Sequence, residues 1–156
     1  MTTTRRTFLN AGMAASTAAV ALSAGLLSPR QVLAAWPKKA FTAKSVDDAL
    51  SALVGSPTTT ASSDVKVDAP DIAENGAVVS VSVTTTVPNA ESISILVPVN
   101  NNPLTASYIL SAQSDGFVTG RIKMRKTSDV IAVVKANGKL LTAKKAVKVT
   151  LGGCGG

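Results

Sequence analysis

From Asp64 onward the apolar residues of this 156-residue chain recur at every second position, and that period limits the fold open to it. Successive side chains of a strand point to opposite faces, so an alternating run buries one face and wets the other. Val65 and Val67 begin the pattern, Pro70 interrupts it, and Asn75-Gly76 marks a turn. Val79, Val81, Val83, Thr85 and Val87 then oppose Ser80, Ser82, Thr84 and Thr86. After Pro88-Asn89-Ala90-Glu91, Ile93, Ile95, Val97 and Val99 alternate with Ser92, Ser94 and Leu96, and Asn100-Asn101-Asn102-Pro103 reads as a loop. Residues 105–113 and 117–125 flank Asp115-Gly116, and residues 131–135 and 139–142 flank Asn137-Gly138. Both dipeptides supply the positive φ of tight hairpins. About seven strands at spacings of roughly 8–12 residues predict a mainly-β, antiparallel sandwich.

One helix precedes these strands. Ser45 is placed to cap it, with Asp48 three positions on, and Val46, Ala49, Leu50, Leu53 and Val54 follow helical spacing. Gly55 stops it, with Pro57 two residues beyond. Residues 36–42 have no clear period, and residues 56–63 read as a Ser/Thr/Pro linker.

The first 34 residues read as an export leader that is removed. Arg5-Arg6 is followed by Phe8-Leu9, an apolar small-residue stretch from Ala11 to Leu27, and an exit at Val32-Leu33-Ala34-Ala35. This is the twin-arginine pattern, an address read by a receptor. The expected cleavage follows Ala34, with Ala35 the next candidate. Ser16, Thr17 and Ser23 leave the stretch too weakly apolar for a ~20-residue membrane span. The expected destination is the periplasm, reached already folded. Removing Arg5, Arg6 and Arg30 lowers the formal charge from +7 to +4. With only Trp36, Phe41, Tyr108 and Phe117 left as aromatics, a nucleic-acid reading is weak.

The opposite end carries the candidate site. Residues 146–151 alternate like a strand and lead into Gly152-Gly153-Cys154-Gly155-Gly156, where the sole cysteine stands between two glycine pairs. Glycine lacks a Cβ and loses the most backbone entropy on ordering, so residues 151–156 read as an arm beyond a domain of residues 35–150. Cys154 lies within about 10–15 Å of the strand that anchors it, at ~3.3–3.6 Å per residue. A thiol on a narrow arm suits insertion into another protein's pocket, the geometry of a carrier. The plainer alternative is a structural or binding sandwich of the periplasm with a frayed tail and an incidental free cysteine.

The remaining residues offer little chemistry of their own. The chain has no histidine, which removes the usual general base, metal ligand and Cys-His pair. One cysteine allows neither an internal disulfide nor a dithiol cycle. No phosphate-cradling glycine loop is present, and none of the nine carboxylates is spaced for acid–base work. No catalytic residue, metal or cofactor is expected, and an enzyme acting alone is disfavoured. Arg121, Lys123 and Arg125 share one face of a strand, as a solvated edge or a docking face for an acidic partner or oxyanion. Lys144, Lys145 and Lys148 allow the same two readings.

A twin-arginine leader, a helix, a β body and a terminal Gly152-Gly153-Cys154-Gly155-Gly156 together resemble the SoxY family, sulfur-carrier subunits of the thiosulfate-oxidising Sox system. The resemblance implies an immunoglobulin-like sandwich that pairs with the leaderless subunit SoxZ, which would account for folded export without a cofactor. It implies covalent attachment of sulfur intermediates at Cys154, with Gly152, Gly153, Gly155 and Gly156 giving the arm flexibility and access to several active sites. It further implies transient docking with the SoxAX cytochrome, the SoxB hydrolase and, where present, the sulfur dehydrogenase SoxCD.

Overall fold

The computed structural model describes residues 37–151, so the expected leader and the residues beyond Leu151 lie outside the described residues. Two short helices open the described chain, α1 (Lys38–Thr42) and α2 (Val46–Val54). The Ser45 hydroxyl accepts from the Asp48 amide at 3.0 Å and donates to the Asp48 carboxylate at 2.7 Å. At the other end the Gly55 amide donates to the Ser51 carbonyl from a left-handed conformation, closing the expected helix at the expected residue. The helix α1 was not expected. Five residues are too few to display a helical period, and its single buried residue, Ala40, carries almost no apolar signal.

Nine strands follow: β1 (Thr60–Ala61), β2 (Val65–Asp68), β3 (Ile72–Asn75), β4 (Val79–Thr85), β5 (Ala90–Leu96), β6 (Leu104–Ile109), β7 (Phe117–Ile122), β8 (Ser128–Ala136) and β9 (Lys139–Leu151). One sheet has the order β1-β9-β8-β5-β6, with β3 paired to the far part of β9, and the second has the order β2-β4-β7. The mainly-β, two-sheet fold is as expected. Two pairings are not antiparallel, because β1 and β3 both run parallel to β9.

The two sheets enclose a core built on the alternation. Val79, Val81 and Val83 of β4 meet Ile93 and Ile95 of β5, Val130, Ala132 and Val134 of β8, and Val147 of β9. Burying one such side chain contributes roughly 1.5–3 kcal/mol. The outer face of the larger sheet is also covered. Leu96, Leu104, Val133 and Leu140 pack under Ala40, Ala49 and Leu50 of the helices. That second contact explains why Ser94 and Leu96, read as facing away from the core, are buried; Ser94 meets the Ser107 hydroxyl at 3.0 Å.

One expected hairpin forms and one does not. Asn137 and Gly138 take φ of 50° and 72° between β8 and β9, the turn the dipeptide predicts. Asp115-Gly116 instead joins different sheets: β6 pairs with β5 and β7 with β4. Alternation reports which face of a strand is buried, not which neighbour it pairs with. Gly116 serves there through its lack of a side chain. The Thr85 amide donates to its carbonyl at 2.6 Å, and a Cβ would fall 2.3 Å from the Thr85 carbonyl oxygen.

Candidate functional site

Strand β9 brings the chain toward its candidate thiol, and its last four residues are fixed from both sides. On one side β3 pairs in parallel, matching Ile72 to Lys148, Ala73 to Val149 and Asn75 to Leu151. The Lys148 amide donates to the Asp71 carbonyl at 2.9 Å, and the Gly76 amide donates to the Leu151 carbonyl at 2.7 Å. The Thr150 hydroxyl adds a bond to the Glu74 carbonyl at 2.9 Å. On the other side the Thr127 hydroxyl accepts from the Val149 amide at 2.9 Å and contacts the Val149 carbonyl at 3.4 Å.

The segment carrying Thr127 is itself pinned. The Met124 amide donates to the Gly76 carbonyl at 2.7 Å, and Met124 is fully buried. Asn100, also buried, donates to the Lys123 carbonyl at 2.7 Å and accepts from the Arg125 amide at 3.0 Å. Residues 72–78, 123–127 and 148–151 therefore form one hydrogen-bonded collar around the end of β9. Leu151 is strand to its carbonyl, yet 70 % exposed.

Cys154 and the flanking Gly152, Gly153, Gly155 and Gly156 lie outside the described residues. Covalent geometry alone keeps the Cα of Cys154 within about 11 Å of that of Leu151. The cationic stripe is partly confirmed: Arg121 and Lys123 are exposed while Ile122 and Met124 are buried, but the strand ends at Ile122. Arg125 turns its guanidinium to the Asn101 side-chain carbonyl. The other lysines divide. Lys144 pairs with Asp129 at 3.4 Å and Lys145 with Asp71 at 2.5 Å, whereas Lys148 has no ion-pair partner among the described residues. The bond and charge of Lys145 hold the Asp71 carboxyl below its ordinary range, and Asp71 in turn raises Lys145. Thr127, Gly76 and Asn100 were not expected as positioning residues. Each acts through a hydrogen bond across sequence, which no spacing rule reveals.

A cavity of about 500 Å³ lies elsewhere, between α2, residues 57–63 and strands β8 and β9, with Val46, Leu50, Pro57, Ile131 and Val133 among its walls. Lys144 at its edge is separated from Leu151 by about 23 Å of strand at ~3.3 Å per residue, so it is not part of the collar. Among the described residues no cluster of ligating side chains suits a metal, and no helix is long and apolar enough to cross a membrane.

Fold and collar together define a small two-sheet β domain whose last strand is locked in place up to an exposed end, three residues short of the chain's sole thiol. The family model described as sulfur oxidation protein SoxY matches residues 50–154, a span that includes Cys154. The chain belongs to the SoxY family. It is similar to the solved structure of the sulfur carrier protein SoxY from Chlorobium limicola f thiosulfatophilum, at 43% identity and a TM-score of 0.62, over 67% of this chain and 96% of that one. A superoxide reductase (neelaredoxin) from Ignicoccus hospitalis matches at 20% identity and a TM-score of 0.48, over 55% of this chain and 79% of that one. No curated protein matches the chain significantly.

Proposed function

We propose that this chain is a carrier rather than an enzyme, holding sulfur intermediates covalently on Cys154 while thiosulfate or related sulfur is oxidised to sulfate in the periplasm. The observation that carries the reading is the family match through Cys154, on a chain whose last strand is hydrogen-bonded up to Leu151. A fixed root with a short glycine-flanked extension limits where the thiol travels without blocking its entry into a narrow channel.

In this reading the Cys154 thiolate and the outer sulfur of thiosulfate are joined by an oxidation that passes electrons to the SoxAX cytochrome, giving an S-thiosulfonate. Water attacks the terminal sulfone on SoxB, releasing sulfate and leaving a persulfide. SoxCD, where present, accepts the electrons as the outer persulfide sulfur takes three oxygens from water and becomes an S-sulfonate, and a further hydrolysis releases that sulfur as sulfate and returns the thiol. The protein's own contribution is to present the sulfur; the partners supply the catalysis. SoxZ is the proposed stable partner, and co-export with it by the twin-arginine route accounts for the leader at residues 1–34.

The test is the intact mass of mature protein purified without reductant from cells given thiosulfate. Reductant-labile sulfur or thiosulfonate adducts on Cys154 are expected, and none in Cys154→Ser. An unmodified thiol throughout returns the tail to an incidental role in a structural sandwich.

A further inference from the structure

The collar carries charge that the fold does not use. Across residues 72–78, 123–127 and 148–151 stand four cations, Lys123, Arg125, Lys126 and Lys148, and one carboxylate, Glu74. Lys123, Lys126 and Lys148 are exposed and have no ion-pair partner among the described residues. The neighbouring acids are committed elsewhere, Asp71 to Lys145 and Asp129 to Lys144. The mature chain's modest formal excess of +4 is thus concentrated at the end from which the thiol emerges.

Exposed apolar side chains stand on the same segments. Leu151 is 70 % exposed, and Val78 is 54 % exposed one step beyond the paired Val79 and Ile122, level with Lys123. Exposed apolar side chains beside polar and charged ones suit a protein-recognition patch. Single-stranded nucleic acid is disfavoured as the occupant, because its bases stack on aromatic side chains and the collar segments have none.

We propose that this collar docks the partner proteins that act on Cys154, and that the surface it meets is acidic, with carboxylates encircling the mouth of the channel that takes the arm. The inference rests on the carrier reading. The reach of the arm enforces the contact. With Cys154 tethered within about 11 Å of Leu151, any protein closing on the thiol brings its surface against the collar. Charges brought face to face by that contact lie inside the ~8 Å Debye length of physiological salt, so they still attract. Complementary charge of this kind raises the encounter rate more than the final affinity, which suits a carrier that must also leave.

The experiment follows the initial rate of thiosulfate-dependent loading of Cys154 by intact mass. Purified protein is added at limiting concentration to periplasmic extract from cells lacking this chain. The triple variant Lys123→Glu, Lys126→Glu, Lys148→Glu is expected to load about tenfold more slowly at low salt, the gap narrowing as salt rises. The variant Lys38→Glu, Lys39→Glu, Lys139→Glu makes the same charge change on exposed residues outside the collar and is expected to load like the parent. Alkylation by iodoacetamide, an uncharged reagent, is expected at one rate in all three, so a slow collar variant reports docking and not thiol reactivity. Parent and both variants loading equally would overturn the docking surface alone. Absence of loading in the parent would overturn the carrier reading and this inference with it.

Discussion

Asp71 and Lys145 illustrate what single residues do at the root of the arm. Their contact at 2.5 Å joins the approach to β3 to the strand that ends at Leu151. Because Lys145 lowers the Asp71 carboxyl, the pair adds stability above the ordinary carboxylate range and loses it as pH falls through the lowered value. Both side chains are open to solvent, so water screens the gain and the pKa itself is the better observable. Lys145→Ala is expected to move Asp71 up toward an ordinary carboxylate, read by NMR titration of its side-chain carbon. An unchanged midpoint would mean the pair is not formed in solution. The cysteine and its glycines were singled out from sequence because they form one short motif, and they lie outside the described residues. Asp71 and Thr127 were not, since each acquires its role from a strand more than twenty residues away.

At the scale of elements, legibility tracked how local the determining physics is. The Ser45–Gly55 helix and the Asn137-Gly138 hairpin are specified by residues adjacent in sequence, and both formed as read. The Asp115-Gly116 hairpin failed because partner choice between sheets depends on residues far away. The second buried face of β5 was missed because its cover comes from helices some forty residues upstream. The two turn glycines should therefore respond differently to a methyl group. At Gly138 nothing lies within 4 Å of where a Cβ would stand, so Gly138→Ala meets only the strain of positive φ, about 1–2 kcal/mol. At Gly116 the new carbon would strike the Thr85 backbone, which must shift and lose its bond, so ~1–3 kcal/mol is expected from crowding without any φ strain. Urea unfolding of both variants, with amide exchange at Thr85, separates the causes. Thr85 exchange should quicken in Gly116→Ala beyond what the global loss explains, and stay in proportion to it in Gly138→Ala.

For the whole molecule, the division of labour between body and arm makes a sharper demand. Every buried apolar side chain among the described residues falls between Ala40 and Val147. The core is thus complete before the chain reaches its glycines, and the outermost bonds on β9 involve Thr150 and Leu151. A chain of residues 35–151 should accordingly unfold within about 2 °C of one of residues 35–156 by calorimetry, the range expected when only surface contacts are lost. The same chain should carry no sulfur adduct from thiosulfate-fed cells and should not support loading in extract. The proposed carrier role calls for this independence: if each partner draws the tail away from the domain, a tail that contributed to the fold would set its unfolding cost against every transfer. A fall of many degrees would place the tail among the elements that hold the sheets together. The thiol would then be held by the body rather than presented by it.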